Sequence, residues 1–146
     1  MLLIGIKNNT EQTVVAGGLI NLGTTYRKYC KKCNGVKTFD FNGTSLSLQQ
    51  SGIYHITATL TFTAAAAGDV TIELYENGLP TGEYATETVT TATTEFRSVA
   101  LDYYVLTDSA CVLGNLSTFI DNITLVNTSD IAVNIVKVTV DVDKVI

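Results

Sequence analysis

The segment GIYHITATLTF, residues 52–62, decides the fold class, because its side chains alternate in character with a period of two. The first alternate set is apolar and predicts a buried sheet face. This set is Tyr54, Ile56, Ala58, Leu60 and Phe62. The second set is mixed in character and consists of Ile53, His55, Thr57, Thr59 and Thr61. We predict a long β-strand whose first face lies in the core and whose second face is covered by another layer or subunit.

Strand-like segments bounded by Gly, Asn and Asp continue along the whole chain. Thr and Val supply 38 of its 146 residues, and both favour extended backbone over helix. The Asn-Gly pairs at 34–35, 42–43 and 77–78 are typical of tight turns. The predicted strands are 2–6, 12–15, 18–22, 24–30, 36–41, 45–48, 53–63, 69–76, 84–90, 95–106, 110–113, 117–126 and 131–143. We predict one all-β sandwich domain over residues 1–146, with 1–16 as a first strand or a docking arm.

The last predicted strand, residues 131–143, changes phase part-way along. Its later part places Val136, Val138, Val140 and Val142 on one face. Just before them, Ile131, Val133 and Ile135 occupy the opposite phase. Two explanations remain open: a β-bulge near Asn134, or a strand end that is covered on both faces. Contact with a neighbouring subunit would explain both this segment and the second face of residues 53–61, so we expect an oligomer.

Charge is distributed unevenly along the chain, whose net charge is −5. Residues 1–37 contain six basic residues and one acidic residue, a net +5, and the remainder contains three basic and thirteen acidic residues, a net −10. Such polarity can orient a protein on a charged partner, although solvated loops also produce it. No nucleic-acid-binding motif accompanies the basic run, so we expect no nucleic-acid partner.

The sequence contains no run of about eighteen apolar residues, the length that a membrane helix needs, so we expect no membrane partner. The opening residues MLLIGI are too few for a secretory signal, and the basic residue Lys7 follows them instead of preceding them. We expect a first strand in a protein that is made in the cytoplasm and not secreted.

Three segments carry a resemblance to a known family. GTSLSLQQSGIYHITATLTFTAAAAGDVTIELYENG, residues 43–78, resembles the tumour-necrosis-factor-like jelly roll, which includes the globular heads of complement. The matching positions are Gly52, Tyr54, Ile56, Asn77 and Gly78. ITLVNTSDIAVNIVKVTVDVDKVI, residues 123–146, is similar to the final strands of that family. TVVAGGLINLGTTYRKY, residues 13–29, is similar to the start of small bacteriophage proteins with this fold, which decorate heads or form fibre tips.

The resemblance implies a homotrimeric jelly roll and a non-enzymatic structural role in a virion, as a capsid decoration, cementing or head-fibre protein. Its partners would be its own copies and the major capsid protein or another virion protein. The expected oligomer-interface residues are Ile53, His55, Tyr103, Tyr104, Ile131, Val133 and Ile135. The expected capsid-docking residues are Arg27, Lys28, Lys31 and Lys32. The alternative is a fibre-tip module that binds a host receptor or surface glycan through loops such as 76–83 and 107–110.

The segment YCKKCNG places Cys30 and Cys33 at a spacing that can supply half of a tetrahedral zinc site. Only Cys111 and His55 could complete such a site within one chain. The alternatives are two reduced cysteines or a local disulfide in an exposed basic hairpin, which we favour, so we expect no cofactor. A metal-dependent enzyme is the third-ranked function.

Two further groups of side chains are candidates for binding. The carboxylates of Asp121, Asp130, Asp141 and Asp143 are of the type that binds calcium, but their spacing matches no calcium loop, and a solvated face is the simpler interpretation. The adjacent Tyr103 and Tyr104 must point to opposite faces of a strand, which predicts that one of them is exposed or at an interface.

Overall fold

The computed structural model describes residues 2–29, 32–33, 36–107 and 120–145, and these residues form β-strands and turns without a helix. No helix long and apolar enough to cross a membrane occurs in these ranges. The strands are β1 (Leu2–Asn8), β2 (Gln12–Val14), β3 (Thr24–Lys28), β4 (Lys32–Cys33), β5 (Val36–Lys37), β6 (Phe39–Phe41), β7 (Leu46–Leu48), β8 (Gly52–Ala64), β9 (Gly68–Glu76), β10 (Leu79–Val89), β11 (Arg97–Thr107), β12 (Asp121–Asn127) and β13 (Val133–Lys144).

Two antiparallel sheets pack face to face. The six-stranded sheet has the order β11-β8-β13-β1-β3, with β2 also paired to β13, and the five-stranded sheet has the order β10-β9-β12-β7-β6. From β7 onward, the chain crosses between the sheets at every connection except the β9–β10 hairpin. These crossings give the jelly-roll topology, and they confirm the predicted all-β sandwich.

Strand β8 lies between β11 and β13 in the six-stranded sheet and supplies much of the core. Tyr54, Ile56, Ala58, Leu60 and Phe62 are all buried, as the alternation predicts. They pack with buried residues of both sheets in one hydrophobic cluster. The Tyr54 hydroxyl donates a hydrogen bond to the Gln50 carbonyl oxygen at 2.7 Å, so the one polar atom in this set is satisfied.

The phase change near residue 135 is a β-bulge, and this corrects the expected subunit contact there. The register of β13 against β8 shifts between Ile135 and Lys137. One extra residue moves the apolar side chains back to the inner face, so Val133 and Ile135 are as fully buried as Val138. Ile131 packs partly buried against the same core. The side chains of Val133 and Ile135 therefore belong to the interior of a single chain and do not form an oligomer interface.

The segment 18–22 also differs from its prediction, since it is not a strand. Gly17 adopts a positive φ of 78°, which interrupts the extended backbone. The following residues lie along β12, where Ile20 N donates to Leu125 O at 3.0 Å and Leu19 forms an isolated bridge with Val126. The predicted strand 36–41 is divided into β5 and β6, whereas the predicted strand 110–113 and the turn at 34–35 lie outside the described residues.

Gly23 lies where the chain enters β3, and its backbone passes very close to β1. Its φ is 92°, and a Cβ added there would lie 2.2 Å from the carbonyl oxygen of Lys7. Gly43 has a similar φ of 103°, but a Cβ added there would meet open space. The two glycines separate the effect of backbone conformation from that of close packing.

We predict that Gly23→Ala lowers the free energy of unfolding by about 2–4 kcal/mol, because a strained φ costs about 1–3 kcal/mol and the clash with Lys7 adds to it. Gly43→Ala, the matched control, should lose only about 1–2 kcal/mol. Urea denaturation followed by circular dichroism measures both values. Equal losses of unfolding free energy would show that β1 moves away from residue 23 without an energetic cost, and the close approach would then not explain the glycine.

Candidate functional site

The outer face of the six-stranded sheet carries the second set of β8 side chains. Ile53, His55, Thr57 and Thr61 are half-buried and Thr59 is exposed. Pairing of β8 with β11 places Leu106, Tyr104, Asp102 and Ala100 beside Ile53, His55, Thr57 and Thr59, respectively. This exposed face, formed by the outward side chains of β1, β8, β11 and β13, is termed the outer face below.

One end of the outer face is apolar. Tyr104 is 60% exposed, Leu106 is 61% exposed and Val145 is 54% exposed, and all three neighbour Ile53 or His55. The backbone N–H of Val145 donates to the Ile53 carbonyl oxygen at 2.8 Å, which holds the end of the chain beside β8. Clustered exposed apolar side chains are typical of protein contact surfaces, whereas single ones are not.

His55 is held in place on the outer face by two neighbours. Its ring stacks on that of Tyr104, with centroids 4.4 Å apart and planes 13° apart. Its Nε2 atom forms a hydrogen bond with Oδ1 of Asp102, and Asp143 lies opposite it on β13. The stacked pair therefore presents a flat aromatic surface next to carboxylates, an arrangement suited to packing and hydrogen bonding across an interface.

Tyr26 of β3 covers the part of the outer face that lies over β1. A Cβ on Gly5 would approach the Tyr26 ring to 2.5 Å, so the ring lies directly on the glycine backbone. The Tyr26 hydroxyl donates to Asp141 at 2.5 Å, and this hydrogen bond is the main cause that raises the pKa of Tyr26. The ammonium of Lys7 lies 4.5 Å from the ring centroid. Because Gly5 has no side chain, the Tyr26 ring of β3 can lie across β1 and its hydroxyl can bond to Asp141 of β13.

Tyr103 points inward, whereas Tyr104 points outward, as strand geometry requires. Tyr103 is half-buried and packs against the core, and its hydroxyl donates to Glu76 at 3.5 Å. The sequence-based interface set therefore divides in two. Ile53, His55 and Tyr104 lie together on the outer face, and Tyr103, Ile131, Val133 and Ile135 have their side chains on or near the core. Strand pairing adds Leu106 to this set beside Ile53, and a backbone hydrogen bond to Ile53 adds Val145, for which the sequence carried no signal.

A pair of carboxyl groups lies where β9, β11 and β12 meet. Asp121 is buried and accepts hydrogen bonds from Thr107 Oγ1 at 2.8 Å and from Asn77 Nδ2 at 3.0 Å. Burial raises the pKa of Glu76, and the charge of Asp121 and a hydrogen bond to it raise the pKa further. Glu76 therefore holds its proton to higher pH than an exposed glutamate, because two adjacent carboxylates cannot both ionise without repulsion.

The basic edge is the outermost strand of the six-stranded sheet, β3, with its two cations Arg27 and Lys28. All five residues of β3 are exposed. Among the described residues, neither cation forms an ion pair. Lys31 lies outside the described residues, and the side chain of Lys32 is not described, so the structure places half of the expected docking set.

The expected zinc ligands are not tested by the structure. Cys30 and Cys111 lie outside the described residues, and Cys33 is described only as backbone in β4. Within the described ranges, no group of three or more His, Cys, Asp or Glu side chains is arranged to hold a metal ion. Asp121 is buried between the sheets, whereas Asp141 and Asp143 lie on the outer face, so these carboxylates do not converge.

Comparison with known proteins identifies the fold. No protein-family model matches the sequence, and no curated protein matches it. Among solved structures, the globular domain of the zebrafish complement 1qA protein superimposes with a TM-score of 0.59 at 7% identity, over 100% of this chain and 98% of that one. The fold is a tumour-necrosis-factor-like jelly roll. Eiger TNF from S. frugiperda agrees, with a TM-score of 0.58 at 8% identity over 99% and 93% of the two chains.

A viral protein is also similar in fold. The PRD1 vertex protein P5 superimposes with a TM-score of 0.51 at 15% identity, over 96% of this chain and 95% of that one. Identities this low establish a shared fold and no shared function. The resemblance drawn from the sequence is thus confirmed at the level of fold.

The carboxyl pair generates a prediction for stability against pH. Because the pKa of Glu76 is raised in the folded state, its contribution to stability is present below its unfolded pKa of about 4.5 and is lost as pH rises through the folded value. Glu76→Gln should therefore be more stable than the parent at pH 7–8 and should lose the difference near pH 4. Thermal unfolding between pH 4 and pH 8 measures the difference in stability between the parent and the variant. Glu73→Gln, on the outward side of the same strand, is the control. A parent protein that is more stable than Glu76→Gln at pH 8 would contradict the prediction.

Proposed function

We propose that this chain is a non-enzymatic structural protein of a virion, which forms a homotrimer through its outer face and docks on a capsid as a decoration, cementing or head-fibre protein. The observation that carries the proposal is the apolar end of the outer face, where Ile53, Tyr104, Leu106 and Val145 cluster in the exposed surface of a single chain. The fold shared with the PRD1 vertex protein P5 directs the proposal to a virion.

Trimer formation would remove the apolar end from water. Burial of a large apolar side chain contributes about 1.5–3 kcal/mol, so three or four such residues in each copy supply a substantial driving force. In a cyclic trimer, side chains near the axis meet their own symmetry mates. The flat His55–Tyr104 pair suits that position, because aromatic rings offer large contact areas with little conformational freedom to lose.

Docking on the capsid would use the opposite edge of the same sheet. Arg27 and Lys28 lie on β3, four strands away from β11, which carries Tyr104 and Leu106. A trimer joined near β11 therefore leaves its basic edges available for a second contact. Basic side chains on one edge of an otherwise acidic protein favour an acidic surface on the major capsid protein or another virion protein.

We predict that the parent protein has a solution mass of three times its 15.7 kDa chain mass. Tyr104→Glu should yield folded monomers, because it would bury charges at the trimer contact. Tyr84→Glu is the matched control, since Tyr84 is also 60% exposed but lies on β10 of the five-stranded sheet. Light scattering with native mass spectrometry measures all three masses. A monomeric parent, or a trimer that resists Tyr104→Glu, would contradict the assembly through this face.

Virion docking is tested with particles of the source virus assembled without this chain. Purified protein should co-sediment with them at a fixed stoichiometry, and binding should weaken as salt rises, because screening reduces the attraction. Lys28→Glu should reduce binding at least tenfold. Arg97→Glu, the same charge change on β11, should alter it less than threefold. Failure of the parent protein to bind the particles would exclude a docking role.

A second candidate function is binding of a host glycan or receptor, and an open depression of about 650 Å³ on the five-stranded sheet favours it. Tyr75, Leu19 and Val126 give this depression an apolar surface, and Thr124 and Asp130 add polar groups. An aromatic ring beside hydroxyl and carboxylate groups is suited to a sugar. Saccharide binding that is lost in Tyr75→Ala would favour this function over a purely structural one.

A further inference from the structure

Among the described residues, the sandwich is closed along one side and open along the other except at Leu22, whose backbone N–H donates to the Gly43 carbonyl oxygen at 2.7 Å. On the closed side, β10 and β11 pack together across the two sheets, and the backbone N–H of Asp102 donates to Glu83 at 3.1 Å. On the open side, β3 ends the six-stranded sheet and β6 ends the five-stranded sheet. In the part of the chain that the structure describes, no further strand pairs with the outer edge of β3 or of β6. Backbone N–H and C=O groups on these two edges are therefore available to an added strand.

A groove of about 390 Å³ separates these two edge strands. Phe39 and Phe41 of β6 form its apolar part, and Thr24, Thr25 and Lys28 of β3 line it from the other sheet. Thr25 and Lys28 pair with Ile6 and Ile4 of β1, whose side chains point into the core. The Lys28 side chain therefore extends from the inner face of its sheet into the groove, next to apolar surface.

The charges at the groove specify the partner. Neither Arg27 nor Lys28 forms an ion pair with another described residue, although the region after residue 37 carries a net charge of −10. An acidic segment is attracted to this edge, and a basic one is repelled. The residues TTYRK of β3 contain no proline and are rich in β-forming types, so an incoming strand can pair along their length.

We propose that this groove binds an extended acidic segment of another virion protein, which pairs with the free edge of β3 and places an apolar side chain against Phe39 and Phe41. The partner's carboxylates contact Lys28 within the groove and Arg27 at its rim. Backbone hydrogen bonds supply affinity, and the groove and the charges supply specificity, as in other cases of strand addition. This inference rests on the proposed function, since it specifies how the basic edge recognises the capsid.

The test uses a labelled nine-residue peptide with blocked ends and the sequence Glu-Glu-Val-Val-Glu-Glu-Val-Val-Glu, so that each face of the extended strand carries both Glu and Val. One control peptide has Lys in place of Glu, and the other retains the charges but has Pro at two of the Val positions. Fluorescence anisotropy measures binding to the full chain, and hydrogen exchange measures protection of the β3 backbone amides. We expect the acidic peptide to bind at least tenfold more tightly than either control and to slow exchange over residues 24–28.

Variants connect the binding to the groove. Lys28→Glu should weaken acidic-peptide binding at least tenfold and Lys28→Gln about threefold or more, whereas Arg97→Glu should leave it within twofold of the parent. Equal binding of the acidic and proline peptides would overturn strand addition, because the contact would then be electrostatic alone. Equal binding by the parent and both Lys28 variants would overturn the groove as the site, and the cations would then only protect the edge from self-association.

The two proposals fail in different ways. Particles that bind the parent protein while the acidic peptide does not would overturn strand addition and retain the virion role. A peptide that binds at β3 while particles do not would retain the groove as an acidic-strand site and overturn capsid docking.

Discussion

The structure depends on the position of β8 between β11 and β13, with one face of β8 completely buried. Because β8 pairs with both neighbours over most of its length, the phase of its side chains sets the phase of theirs. A slip of one residue would move Tyr54, Ile56 and Phe62 into solvent and bring His55 into the core, which burial energies prohibit. The same constraint that buries one set of β8 side chains forces the other set onto the outer face.

The bulge in β13 shows how the protein reconciles two apolar phases within one strand. Val133 and Ile135 pack in the core before the bulge, and Val138, Val140 and Val142 pack there after it. The bulge therefore lets one strand bury both sets inside a single chain. At the other end of the sheet, Tyr104, Leu106 and Val145 are exposed beside Ile53 or His55, and this cluster is what locates the proposed trimer contact.

The jelly roll separates its surfaces by chemistry. Its outer face is apolar at one end, where Asp143 lies beside His55, and carries Asp102 and Asp141 beyond that end, whereas β3 at the sheet's edge carries exposed cations. The two kinds of surface can therefore act at once, the apolar one toward copies of the same chain and the basic one toward an acidic partner. Tyr26 links them physically, because its ring lies on Gly5 and its hydroxyl reaches Asp141.

The amino-acid sequence by itself determined the fold class, the inward face of β8 and the turn at Asn77-Gly78, because alternation and turn chemistry are local properties of the chain. It also indicated that one of Tyr103 and Tyr104 is exposed. Only the tertiary structure decided which one, because the register of β11 against β8 depends on contacts between residues far apart in sequence. For the same reason, the tertiary structure alone showed that the phase change in β13 is a bulge. It alone also brought Leu106 and Val145 beside Ile53, and Phe39 and Phe41 beside Lys28, since strands distant along the chain meet only when the two sheets pack.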